Sequence, residues 1–155
     1  MTVIYLAGTE NESKWREAFI QETAKQLMVD LKIDQTIAFN FVCSQVLYPT
    51  TNKDLDRVNR GKAKYIAHVI TPRMTGYMDL FEVLHDSFKR SKKTVFCLLK
   101  LDFKENNEGI LFDQNDLNSL KEVMDKIKKE NVPAFENFSD FVKHFYPIIK
   151  ANYKS

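Results

Sequence analysis

Short apolar runs alternate with longer amphipathic segments along the 155-residue chain. The runs at 3–7, 65–70 and 94–101 are rich in β-branched and aromatic residues, which predicts buried strands. The segments at 14–31 and 77–89 carry apolar residues at three- and four-residue spacing, which predicts amphipathic helices. The first half of the chain therefore indicates strands that alternate with helices.

The rest of the chain continues this alternation. Ile37, Phe39, Phe41 and Cys43 alternate with smaller or polar residues, which predicts a second strand at 36–48 on an edge of the sheet. The segment 102–114 is predicted as a surface loop or a small extra hairpin. The remaining predictions are a short polar helix at 53–62, a helix ending near 129, a fifth strand at 132–135 and a last helix opening at Ser139.

This order predicts an α/β fold with one doubly wound sheet of five parallel strands and helices on both faces. We expect a single domain spanning residues 1–155, with the strand order 2-1-3-4-5. In such a sheet the switch point lies between strands 1 and 3, and ligands bind at the carboxyl ends of the strands. The loops that follow strands 1 and 3 should therefore lie side by side.

Charge, apolar run length and cysteine content indicate which partners and which compartment suit the chain. The 23 basic and 21 acidic residues give a net charge of +2, which provides no general attraction to nucleic-acid polymers or anionic membranes. No apolar run is long enough to span a membrane. Cys43 and Cys97 are predicted to be free thiols of the core, as in a reducing compartment. We therefore expect a soluble, cytoplasmic protein.

The stretch from Ile70 to Glu82 is the strongest candidate for chemistry. Pro72 ends the third strand, Gly76 allows the loop to turn, and Glu82 falls in the first turns of the next helix. A carboxylate at this edge of the sheet can attack an electrophilic carbon or transfer protons. The alternative is an ordinary solvated glutamate on a helix surface.

Two other residues have a functional and an ordinary interpretation. Tyr5 lies near the end of the first strand, where its hydroxyl needs a partner, although packing alone explains many buried tyrosines. Asp56 precedes the third strand in a polar segment, where a surface position is the alternative. The four glycines are too dispersed for a dinucleotide or phosphate-binding loop, and no cofactor or metal site is predicted.

Three motifs resemble the nucleoside 2-deoxyribosyltransferase-like family, in particular its small members from bacteria and phages. They are the opening Ile4–Gly8 with Trp15 in the following helix, the spacing of 56–72, and the loop and helix at 74–83. The resemblance covers most of the chain and implies a flavodoxin-like fold. It also implies a small-molecule nucleoside or nucleotide as the partner, and a possible homo-oligomer.

The resemblance assigns roles to individual residues. Glu82 would attack the anomeric carbon of a 2-deoxynucleoside or its monophosphate, release the base, and pass the deoxyribose to another base or to water. Asp56 would hold the sugar hydroxyls, and Tyr5 would orient Glu82 through a hydrogen bond. The other residues expected to contact substrate are Gly8, Thr9, Gly76 and Asp79.

One departure from the family pattern supports a second hypothesis. The family carries an acidic residue just after strand 3, whereas residues 73–76 contain none, and Asp79 is the candidate to replace it. A non-catalytic nucleotide-binding module of the same fold is therefore the alternative to an enzyme. A structural or interaction protein is a third interpretation, because fold alone does not determine function.

Overall fold

A computed structural model describes residues 3–10, 13–102 and 111–153 of the chain. One parallel sheet has the strand order β2-β1-β3-β4-β5, which is the predicted flavodoxin-like arrangement. In chain order the elements are β1 (Ile4–Gly8), α1 (Trp15–Leu31), α2 (Gln35–Ser44), β2 (Val46–Leu47), α3 (Lys53–Lys62), β3 (Tyr65–Ile70), α4 (Met78–Lys89), a 3-10 turn (Ser91–Lys93), β4 (Thr94–Leu98), α5 (Gln114–Lys129), β5 (Ala134–Phe135) and α6 (Phe138–Ala151).

Strand β1 is buried on both faces, and its alternating side chains contribute to two different layers. Ile4 and Leu6 belong to the apolar core beneath α1 and α6. Tyr5 and Ala7 point to the opposite face, where they pack with Ala63 at the end of α3. The pleat of the strand therefore directs Tyr5 towards the layer of α3 and α4.

The switch point lies between β1 and β3, as the strand order predicts. The two strands pair in parallel over their length, from Ile4 opposite Tyr65 to Gly8 opposite Val69. The chain leaves β1 towards β2 on one side and leaves β3 towards β4 on the other. The loop after Gly8 and the loop that leads to α4 consequently diverge and leave a crevice between them.

The prediction of a long second strand at 36–48 is wrong. Residues Gln35–Ser44 form helix α2, and the strand β2 is limited to Val46–Leu47 at the sheet edge. The Asp34 side chain caps the helix by accepting a hydrogen bond from the Thr36 N–H at 2.8 Å. Ala38 and Val42, one turn apart, form the buried face of α2, which packs against α1.

Other elements agree with the predictions in type and differ at their ends. In α4 the buried positions include Val83, whereas Phe81 and Phe88 lie on the solvent side. Helix α6 begins one residue before Ser139, after an Asn137 cap. The predicted loop at 102–114 lies mostly outside the described residues, and an isolated antiparallel bridge joins Leu101 to Leu111 at its borders.

Cys97 is buried in β4 as a free thiol, and burial raises its pKa to about 12. Cys43 is also free, but it lies half-buried on α2 and not in a strand. A thiol with a raised pKa is a poor nucleophile, so Cys97 acts as a small apolar core residue. Within the described ranges, no helix combines the length and the apolar character needed to cross a membrane.

Candidate active site

A cavity of about 260 Å³ opens at the carboxyl end of β1, and helices α3 and α4 form its other walls. Small-molecule sites usually enclose about 300–1,000 Å³, so the cavity is slightly smaller than that range. Its walls contain four carboxyl groups and one guanidinium. The lining residues are Tyr5, Ala7, Gly8, Glu10, Pro49, Thr50, Asp56, Arg60, Asp79 and Glu82.

Tyr5 and Asp56 form a hydrogen-bonded pair on one wall of this cavity. The Tyr5 hydroxyl donates to Asp56 Oδ1, and the Thr50 N–H donates to the same oxygen at 3.2 Å. Burial, together with the hydrogen bond to Asp56, raises the pKa of Tyr5, so its hydroxyl stays protonated and remains a donor. Both of these bonds end on Oδ1, which leaves Asp56 Oδ2 as the oxygen available to a ligand hydroxyl.

Glu82 projects from the second turn of α4 and is paired with an arginine. Its Oε2 accepts a hydrogen bond of 2.8 Å from Arg60 Nη2, and 40% of its side chain is exposed. The Arg60 guanidinium also lies over the Tyr5 ring, 5.0 Å from the ring centroid. The predicted hydrogen bond from Tyr5 to Glu82 is therefore replaced by two contacts, Tyr5 with Asp56 and Arg60 with Glu82.

A second carboxylate, that of Asp86, also accepts a hydrogen bond from Arg60. Asp86 lies one turn after Glu82 on α4, and its side chain is fully buried. Arg60 Nη1 donates to Asp86 Oδ2 at 3.1 Å, His68 Nε2 lies 2.8 Å from the same oxygen, and Arg90 Nη1 donates to Oδ1 at 2.9 Å. Burial would raise the pKa of Asp86, but His68 and the two arginines outweigh it and lower that pKa.

Asp79 lies one turn before Glu82 and lines the same cavity. Burial raises the pKa of its carboxyl, and the negative charges of Glu82 and Glu10 raise it further. A raised pKa changes a carboxyl in the direction that favours donation of a proton. Asp79 therefore faces the cavity with the property expected of the acid that residues 73–76 lack.

A buried arginine binds carbonyl groups in β1 and at Thr9, directly after it. Arg16 donates from Nε to the Leu6 carbonyl at 2.9 Å and from Nη1 to the Thr9 carbonyl at 2.9 Å. Gly8 adopts φ +104°, and a Cβ there would lie 2.2 Å from the Val69 carbonyl oxygen. This position therefore requires glycine, and the cavity floor is rigid at that point.

The structure brings most of the predicted site residues together, and two lie elsewhere. Tyr5, Gly8, Asp56, Asp79 and Glu82 all line the cavity. Thr9 is fully buried, and its hydroxyl accepts from the Thr71 N–H at 3.0 Å, so it has a structural role. Gly76 is exposed with φ +67° and lines a separate groove beside α5.

Sequence reasoning missed Arg60 and Asp86, although a helical spacing pointed to both. Arg60 lies four residues after Asp56 on α3, and Asp86 lies four residues after Glu82 on α4. Residues four apart share a helix face, so each site residue predicts that its own i+4 position faces the same region. His68 on β3 is fully buried, and among the described residues its Nδ1 has no hydrogen-bond partner.

The described ranges contain no group of three histidine, cysteine or acidic side chains arranged to hold a metal ion. Comparisons with protein-family models, with curated proteins and with solved structures found no match to this chain.

Proposed function

We propose that this protein cleaves the N-glycosidic bond of 2-deoxynucleosides or their monophosphates and transfers the deoxyribose to another base or to water. The observation that supports this most directly is that two carboxyl groups with different surroundings line one cavity. Glu82 is paired with Arg60, whereas Asp79, one turn away, has a raised pKa. A nucleophile and an acid in such proximity are the components of retaining glycoside chemistry.

In the first half-reaction, a Glu82 carboxylate oxygen forms a bond to the anomeric carbon as the bond from that carbon to the base nitrogen breaks. The electron pair of the broken bond stays on the base nitrogen, which takes a proton from Asp79. The raised pKa of Asp79 favours the protonated form that this step needs. Asp56 Oδ2, left available by the Tyr5 bond, accepts a hydrogen bond from a sugar hydroxyl.

In the second half-reaction, an acceptor base nitrogen or a water oxygen bonds to the same carbon. The ester bond to Glu82 breaks, its electron pair returns to the carboxylate, and the proton of the acceptor passes to Asp79. Two displacements at one carbon give overall retention of configuration. Because four carboxyl groups and one guanidinium line the cavity, the electrostatics favour the nucleoside over its monophosphate.

A non-catalytic nucleotide-binding module is the second candidate, and one contact favours it. Arg60 already binds Glu82 at 2.8 Å, and a carboxylate in such a pair is a weaker nucleophile than a free one. A binding module would use the same Tyr5–Asp56 pair for the sugar. It would bind nucleosides without releasing a base.

The test is chromatography of the purified protein incubated with a panel of 2-deoxynucleosides and monophosphates, each with and without a second free base. We expect release of base, and formation of a new deoxynucleoside when an acceptor is present. Glu82→Gln should lower base release by roughly three orders of magnitude, because it removes the nucleophile. Glu122→Gln, an exposed position on α5, is the matched control and should keep the wild-type rate.

The possible outcomes separate the hypotheses. Free base with deoxyribose, at a rate independent of the acceptor, identifies a hydrolase. A new deoxynucleoside identifies a transferase. Base release that survives in Glu82→Gln excludes the covalent role of that residue. No product from any substrate, together with ligand-induced stabilisation, identifies the binding module.

A further inference from the structure

We propose that Arg60, positioned by the buried Asp86, accelerates breakdown of the glycosyl-enzyme intermediate by stabilising the Glu82 carboxylate as it leaves the sugar. This inference rests on the proposed function, because it assigns roles in the second half-reaction of the same site. Arg60 contacts a reacting group, whereas Asp86 acts through Arg60 and is a positioning residue.

The two ends of the Arg60 guanidinium bind two different carboxylates. Nη2 donates to Glu82 Oε2 at 2.8 Å, and Nη1 donates to Asp86 Oδ2 at 3.1 Å. The planar fork of arginine presents its donors to the two acceptors in a fixed geometry, which the compact ammonium of lysine, with its rotatable donors, does not impose. The Arg60 side chain is only 14% exposed, so its charge is poorly screened by solvent.

Asp86 is a rigid anchor for this arginine. Its fully buried carboxylate receives His68 Nε2 at 2.8 Å and Arg90 Nη1 at 2.9 Å in addition to Arg60. Since the carboxylate accepts, His68 Nε2 donates to it, and the His68 Nδ1 has no partner among the described residues. His68 is therefore a third donor that holds the Asp86 carboxylate in place.

The charge balance of this cluster changes during the reaction. In the free enzyme, Arg60 and Arg90 face the carboxylates of Glu82 and Asp86, so two positive charges meet two negative ones. When Glu82 becomes an ester, its charge is lost and the cluster gains one net positive charge. Asp86 then faces two arginines alone. This excess charge favours any step that restores the Glu82 carboxylate.

That step is the second half-reaction. As the acceptor bonds to the anomeric carbon, the electron pair of the ester C–O bond returns to Glu82 and its charge spreads over both carboxylate oxygens, one of which, Oε2, is the acceptor of Arg60 Nη2 at 2.8 Å. The same hydrogen bond weakens Glu82 as a nucleophile in the first half-reaction. Arg60 therefore shifts the balance of the two rates towards breakdown and keeps the intermediate from accumulating.

The test compares Arg60→Gln with Arg57→Gln by rapid quench and by mass spectrometry of the intact protein during turnover of an accepted 2-deoxynucleoside. Arg57 lies on the same helix, is 78% exposed and pairs only with exposed Asp54 among the described residues, so it matches the charge change without touching the cluster. We expect Arg57→Gln to behave as wild type.

In Arg60→Gln we expect breakdown of the intermediate to slow by roughly 10- to 100-fold, as for loss of one hydrogen bond to a charged group. A burst of base approaching one per active site should precede a slow steady state. KM should fall together with kcat, and protein carrying one deoxyribosyl group should appear in the mass spectrum. Asp86→Asn should show a smaller burst than Arg60→Gln, because it removes the anchor that positions Arg60 but leaves the positive charge of Arg60 in the cluster.

Other results overturn the inference. An Arg60→Gln variant that slows the burst as much as the steady state, with no sugar-bound protein, removes the role of Arg60 in breakdown. If either variant fails to fold, Arg60→Lys is the substitute, because it keeps the charge without the planar fork. Its burst amplitude should lie between those of wild type and Arg60→Gln. A wild-type amplitude would contradict the positioning role. A wild-type protein that releases no base refutes the proposed function and this inference together, whereas active wild type with unchanged bursts in the variants refutes only the inference.

Discussion

At the scale of single residues, Asp79 is a cavity residue whose ionised carboxyl destabilises the folded protein. It occupies the first turn of α4, where the helix N-terminus ordinarily favours an ionised carboxylate. Burial and the charges of Glu82 and Glu10 act in the opposite direction and raise its pKa. The carboxyl is therefore less stable as an anion in the folded protein than in the unfolded chain.

Asp79→Asn should consequently raise the melting temperature at pH 7. The folded-state pKa of Asp79 is above its unfolded value, so its unfavourable contribution is complete above the folded pKa and disappears as the pH falls through the ordinary value of about 4. The gain should vanish in acid. Circular dichroism melts at pH 7 and in acid measure this gain in melting temperature, and exposed Asp54→Asn is the control. An equal gain under the two conditions would contradict the assignment to charge burial.

At the scale of elements, α2 shows where pattern reasoning failed. Ile37, Phe39, Phe41 and Cys43 alternate like a strand, yet they lie on a helix, with Ile37 and Phe39 largely exposed. Ala38 and Val42 on the other face are the buried residues, and that face packs against α1. A tertiary partner of this kind is not visible in local periodicity, and it overrides strand propensity.

Asp34→Ala tests the helix directly. The substitution removes the cap of the Thr36 N–H and should destabilise the protein by about 1 kcal/mol, measured as a lower urea midpoint at unchanged m-value. Ile37→Ala is the companion variant. Because Ile37 is 52% exposed on the helix, its truncation should change stability by no more than about 0.5 kcal/mol. A cost of several kcal/mol at Ile37 would support the strand.

At the scale of the whole molecule, the strand order determines which distant segments meet. Tyr5, Asp56 and Glu82 come from three separate parts of the chain, and they meet in one cavity at the carboxyl end of β1. Alternation of strands and helices predicted that the Tyr5 and Glu82 segments would lie side by side, whereas the place of Asp56 beside them was implied only by the family resemblance. It was insufficient to predict that Arg60 binds Glu82 and Asp86, because that contact depends on the distance between α3 and α4, which no sequence spacing encodes.

Because the cavity residues come from separate parts of the chain, a bound ligand should raise the free energy of unfolding of the whole fold. A 2-deoxynucleoside at a hundred times its dissociation constant should add about 2.7 kcal/mol to the free energy of unfolding. For a chain of this size, that corresponds to a rise in melting temperature of roughly 5 to 10 °C. Differential scanning fluorimetry with the Glu82→Gln protein measures this rise without turnover, since the variant keeps a side chain of the same shape.

Asp56→Asn should abolish most of this shift, because the Tyr5 hydroxyl and the Thr50 N–H then meet an amide in place of the carboxylate that orders the sugar wall. Asp54→Asn, two residues earlier on the exposed face of α3, should retain the full shift. Equal shifts in the two variants would mean that the ligand binds outside the cavity that Tyr5, Asp56 and Glu82 line. A shift lost only in Asp56→Asn would locate binding at the residues that the sheet topology assembles, whether or not the protein then releases the base.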